Sequence, residues 1–105
     1  MATELSWNAV TASSDGSPLV GAVSYTAYID TVNPPVKAYP VPSTDAPVAG
    51  VLTATFASLG FVPVGNTTYY ADVTATDTAG TSVPSGVVTF SNAVAPAAPT
   101  GLKAS

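Results

Sequence analysis

Apolar and polar residues alternate most regularly between Asn66 and Thr76. In an extended chain Tyr69, Ala71, Val73 and Ala75 fall on one side, and Tyr70, Asp72, Thr74 and Thr76 on the other. A period of two marks a half-buried strand, and β-branched Val and Thr favour it further. Asp77-Thr-Ala-Gly80 supplies turn chemistry, which makes residues 83–90 the returning strand. The same alternation predicts a first strand with Leu5 and Trp7 inward. It predicts another over residues 23–30, with Tyr25, Ala27 and Ile29 inward and Ser24, Thr26 and Tyr28 outward. Residues 51–59 repeat it, burying Leu52, Ala54, Phe56 and Leu59. Between these strands, Asn33-Pro-Pro35 breaks the pattern, because two prolines cannot both serve a central ladder. Residues 36–39 fit a short edge strand. The next loop is stiffened by Pro40, Pro42 and Pro47. Nowhere do apolar residues recur at helical spacing over three turns. Trp7, Tyr25, Phe56, Tyr69 and Val73 are the expected core.

Composition narrows this picture. At 105 residues the chain holds one sandwich core and not two. Only 8 % of residues are charged, so the polar surface must come mostly from Thr, Ser and Asn. Ten prolines and eight glycines suit many short strands joined by turns. The formal charge of −4 comes from six acids against Lys37 and Lys103. Nucleic acid is not expected as a partner, since phosphate binding needs clustered positive charge. Anionic membrane surfaces are disfavoured for the same reason. No apolar run of transmembrane length occurs. The first residues lack a basic and an apolar region, so export on a signal peptide of their own is not expected.

Candidate chemistry is sparse. Cysteine and histidine are both absent, which removes disulfides, thiolate metal sites and the usual nucleophile–base pairs. A Ser–Lys arrangement has no supporting motif around Lys37 or Lys103. Glu4, Asp15, Asp30, Asp45, Asp72 and Asp77 fall on expected loops and outward faces, with Asp15 and Asp77 at opposite poles, so solvation accounts for them better than paired-carboxylate catalysis. Ser13-Ser-Asp-Gly16 is too poor in oxygens for a calcium loop. No catalytic, cofactor-binding or metal-ligating residue is therefore assigned, and no enzymatic activity is expected.

Two stretches invite a partner. Phe61-Val-Pro-Val-Gly65 places Phe61, Val62 and Val64 in a connecting loop, where exposure is costly unless another surface covers them. Beyond residue 91 the chain turns to Pro and Ala, and Pro96-x-x-Pro99-Thr100-x-Leu102 reads as a short extended segment.

At this point the residues resemble a family. Thr67-x-Tyr69-x-x-x-Val73-x-Ala75, closed by Ala79-Gly80 and Pro84-Ser85, is similar to the F strand, FG loop and G strand of fibronectin type III domains. Leu5-x-Trp7-x-Ala9, Asp15-Gly16, Pro18-Leu19, Gly21 and Tyr25 resemble the B strand, BC loop and C strand of bacterial and phage members. Tyr69 sits where that fold places its corner tyrosine. Phe61-Val-Pro-Val-Gly65 lengthens the usual interval between the E-strand leucine, here Leu59, and that tyrosine. The family opens with an A strand of the form Pro-x-x-Pro-x-x-Leu. Only residues 1–3 precede the B-like segment, while Pro96-x-x-Pro99-x-x-Leu102 offers that pattern at the other end.

The resemblance implies an all-β, seven-stranded fibronectin type III (immunoglobulin-like) sandwich over residues 1–91. Residues 92–105 form a linker and a displaced A-like strand. Pro96, Pro99, Thr100 and Leu102 would pair with a sheet edge, in a neighbouring subunit sooner than in their own. The implied role is a structural protein of a tailed-phage virion, in head decoration or the tail, whose partners are virion proteins or copies of itself. The alternative is a spacer or glycan-proximal module of a secreted bacterial glycoside hydrolase or adhesin, which would be extracellular.

Overall fold

Residues 2–42 and 47–104 are described by a computed structural model of the chain. Asp45 lies outside these residues. In chain order the elements are β1 (Glu4–Asn8), β2 (Ser24–Asp30), β3 (Ala38–Pro40), β4 (Val51–Thr55), α1 (Phe56–Leu59), β5 (Thr68–Asp77), β6 (Gly80–Thr81) and β7 (Val88–Ser91). β5 organises the larger sheet. It pairs with β2 along one edge and with β6 and β7 along the other, while β3 extends the sheet beyond β2. All these pairings are antiparallel. β1 and β4 form a separate two-stranded antiparallel sheet, with Leu5 opposite Ala54 and Trp7 opposite Leu52.

The apolar faces of the two sheets meet in an antiparallel all-β sandwich. Ala27, Ile29 and Ala71 come from the larger sheet and Ala54 from the smaller, with Phe56, Leu59, Phe61 and Tyr69 filling one end. Small alanines at the centre leave room for the rings. Phe61 stands edge-on to Phe56 at 5.0 Å and to Tyr69 at 5.1 Å between ring centroids, and Tyr39 approaches it at 5.5 Å. Edge-to-face packing of this kind is favourable because it sets the positive ring edge against the negative face.

Several expectations change here. Phe61 is core, not part of an exposed loop patch, whereas Val62 and Val64 from the same segment are exposed at 83 % and 63 %. The strand expected through residue 59 stops at Thr55. There the Thr55 side chain caps a single helical turn by accepting from Ser58 N, and Gly60 ends it in the left-handed conformation at φ 74°. Phe56 and Leu59 remain buried, because a spacing of three suits one face of a helical turn. Trp7, Tyr25 and Val73 are half-buried and not fully enclosed.

The lengthened connection before β5 closes on itself. Tyr69 Oη accepts a hydrogen bond from Val64 N at 2.8 Å, so the extra residues are tied down by the first buried ring of β5. At the opposite pole, the loop after β1 folds against the β5–β6 turn. Thr78 N donates to Val20 O at 2.9 Å and Val20 N to Asp77 Oδ2 at 3.0 Å. Asp15 belongs to that same loop, so it shares a pole with Asp77 and is not opposite to it.

Candidate functional site: the groove beside strand β1

β1 has one paired edge. Its register with β4, together with Ala9 N donating to Gly50 O and Phe56 N to Thr3 O, directs the odd residues toward β4. Alternation in an antiparallel ladder then points the N–H and C=O of Glu4, Ser6 and Asn8 the other way. Among the described residues no strand pairs with that side. Val10 continues it, and its N–H is taken by Tyr25 Oη at 2.9 Å. Tyr25 therefore stops the open edge at its upper end.

Across the gap lies the returning segment between β6 and β7, which departs from a regular strand. Ser82 N donates to Ala75 O and Ser85 N to Val73 O, as a ladder would. The reciprocal bonds are different. Ala75 N donates to Ser82 Oγ and Val73 N to Ser85 Oγ, both at 3.0 Å. Ser side chains compete with backbone carbonyls in this way, and Pro84 between them has no N–H to give. Residues 82–87 consequently leave the regular ladder, and Val83 is largely exposed.

The result is a groove on the open flank of the sandwich. Trp7, Asn8, Val10, Tyr25, Val83 and Ser85 are among the residues bounding a cavity of about 210 Å³. A second cavity of about 210 Å³ continues it toward the loop pole, sharing Val10, Ala75 and Ser82. Trp7 leans on Tyr25 with ring centroids 5.5 Å apart. Its Nε1 is buried without a hydrogen-bond partner. Buried indole N–H groups normally find an acceptor, so this donor marks an incomplete surface.

The tail stands apart from the groove. Asn66 N donates to Asn92 O at 2.6 Å, Asn92 N to Thr67 O at 3.0 Å and Val94 N to Asn66 Oδ1 at 3.1 Å, which fixes the chain through Val94. Pro96, Pro99, Thr100 and Leu102 follow, all exposed and outside any strand, with Leu102 at 96 %. The expected pairing of this segment is therefore not made within its own chain. The molecule measures 75 × 28 × 20 Å with a radius of gyration of 18.2 Å, against about 13 Å for a compact domain of this length.

β5 also carries a polar feature, and its Thr74 borders the groove cavity. Asp72 and Thr74 face away from the core, as the alternation requires, yet are buried to 7 % and 6 % exposure. Half-buried Tyr28 and Thr26 stand opposite them in register. Asp72 Oδ1 and Thr74 Oγ1 have no partner, and burial raises the Asp72 pKa above the ordinary carboxylate value. No group of three metal-ligating side chains occurs among the described residues, and no helix there is long and apolar enough to cross a membrane.

Comparison of the chain with protein-family models, with curated proteins and with solved structures gives no match in any of the three. The site thus stands on its own geometry. Sequence reasoning missed the Tyr25–Val10 stop and the two serine substitutions in the ladder. Ser82-Val-Pro-Ser85 was the available signal, since a proline bracketed by hydroxyls seldom belongs to a continuous strand.

Proposed function

We propose that the chain is a non-enzymatic structural protein of a tailed-phage virion, serving in head decoration or the tail through contacts with other virion proteins or with copies of itself. The observation that carries this reading is the unpaired edge of β1 beside an apolar groove, in a chain that also displays an extended Pro- and Ala-rich tail. An open strand edge is a template for strand addition by another chain.

The finer fold assignment belongs to the same proposal. The hydrogen bond from Val64 N to Tyr69 Oη reproduces the geometry of a tyrosine corner, which supports a fibronectin type III-like arrangement of β1, β2, β4, β5 and β7. A second reading, a spacer or glycan-proximal module of a secreted hydrolase or adhesin, is favoured by the elongated shape and by Pro96-x-x-Pro99-x-x-Leu102.

Quantitative mass spectrometry of particles purified from the native source tests the first reading. A stoichiometric copy number in the particle is expected. Recovery of these residues only inside a longer secreted polypeptide would replace it with the second.

A further inference from the structure

We propose that residues 99–103 of one copy add as an antiparallel strand to the open edge of β1 in a second copy, joining copies head to tail. This rests on the reading that the chain works through protein–protein contacts, and it names the partner and the register.

An antiparallel strand enters at the pole where β1 ends, and there the groove continues into the second cavity. Parity then restricts the register. Leu5 and Trp7 face the core, while Glu4, Ser6 and Asn8 offer the free backbone groups. A register with Leu102 opposite Leu5 puts Thr100 opposite Trp7, both inward. Gly101 falls opposite Ser6, Lys103 opposite Glu4 and Pro99 opposite Asn8.

Each match supplies something the open edge lacks. Leu102 is almost wholly exposed and gains an apolar site. Thr100 lays its side chain beside the half-buried ring of Trp7. Lys103, one of two cations in the chain, meets the single acid of β1 on the outer face. Gly101 exchanges both backbone bonds with Ser6, and as glycine it moves from φ 73° to the extended region without steric cost. Pro99 has no N–H, but its carbonyl can accept from Asn8 N, so the ladder ends there.

The donor is another copy because the chain's own tail has no slack with which to enter from the far pole. Asn92 and Val94 are clamped to Asn66 and Thr67, at the pole where β1 begins. From Val94 to Pro99 an extended chain covers about 17–18 Å. Reaching Asn8 demands a climb of about 14 Å along β1 combined with a crossing of about 10 Å between sheets, which together consume the whole extended length. Donation to a neighbour escapes this limit and, being heterologous, leaves one free edge and one free tail in every chain of copies that does not close into a ring.

Two substitutions in the full chain test it. Ser6→Pro removes an N–H that faces the open edge and leaves the odd-numbered bonds to β4 in place. Gly101→Pro removes the matching donor from the tail. Analytical ultracentrifugation of the unaltered chain should show mass growing with concentration beyond a dimer. Each variant alone should stay monomeric, and an equimolar mixture should give a capped dimer, since one retains its tail and the other its edge. Should Ser6→Pro fail to fold, Gly101→Pro mixed with unaltered chain must still shorten the assemblies. Lys103→Glu should weaken association roughly threefold and Glu4→Lys should restore it, the size expected of an exposed ion pair. An unaltered chain that is monomeric at millimolar concentration, a mixture no heavier than its parts, or a Gly101→Pro variant destabilised without change of mass would each overturn the inference. Detection of the chain in purified particles would then still stand, so the two readings fail separately.

Discussion

Tyr69 and Val64 are joined by a 2.8 Å hydrogen bond that closes the connection between the helical turn and β5. The ring of Tyr69 is buried against Phe61 and Phe90, so one residue both packs the core and restrains the loop above it. Tyr69→Phe keeps the packing and deletes only the acceptor, leaving Val64 N unpaired. A loss of about 1–2 kcal/mol is expected. A urea melt should show a lower midpoint with an unchanged slope.

Phe61 and Trp7 should differ in cost. Phe61 is enclosed by four aromatic rings, and Phe61→Ala should lose about 3–5 kcal/mol. Trp7 is half-buried on the open flank, so Trp7→Ala should lose less, about 2–3 kcal/mol, in monomeric protein. Thermal or urea melts of the two variants at low concentration decide the ranking. The reverse order would place the core on the wrong side of β1.

Asp72 should be a liability at neutral pH. Burial raises its pKa, so the fold disfavours the ionised form more than the unfolded chain does. That penalty is present above the raised value and disappears once pH falls below the ordinary carboxylate range. Asp72→Asn should therefore raise the melting midpoint at pH 7, and the gain should vanish in acid. A gain that persists at low pH would point to packing instead of charge.

Asp77 carries the opposite sign. The hydrogen bond from Val20 N, followed by that from Ala79 N, holds its carboxyl below the ordinary value. Its contribution is complete above the ordinary value and is lost as pH falls through the lowered one. Hydrogen exchange should show the Val20 and Ala79 amides losing protection in Asp77→Ala at neutral pH. In the unaltered chain the same loss should occur only in strong acid.

The strands were legible wherever alternation alone decides the outcome. Tyr69 and Ala71, like Ala27 and Ile29, are buried on the face that a period of two assigns them. Phe61 was not legible, because it lies between Gly60 and Pro63 and its burial depends on rings brought from β3, β5 and β7. Asp72 was read as solvated for a similar reason. Pattern assigns it to the outer face but cannot say that this face is covered at Asp72. The clamp that ties Val94 to Asn66 could be seen only in three dimensions.

That clamp also has a mechanical meaning. Tension on the tail arrives first at Asn92 and Val94, where three hydrogen bonds tie it to Asn66 and Thr67. Beyond them β7 lies antiparallel along β5, from Ser91 opposite Thr68 to Val88 opposite Ala71. A pull along the strand axis loads these bonds in shear, all at once, instead of peeling them singly. The tail is thus rooted as a tether is, beside the stacked rings of Phe56, Tyr69 and Phe90.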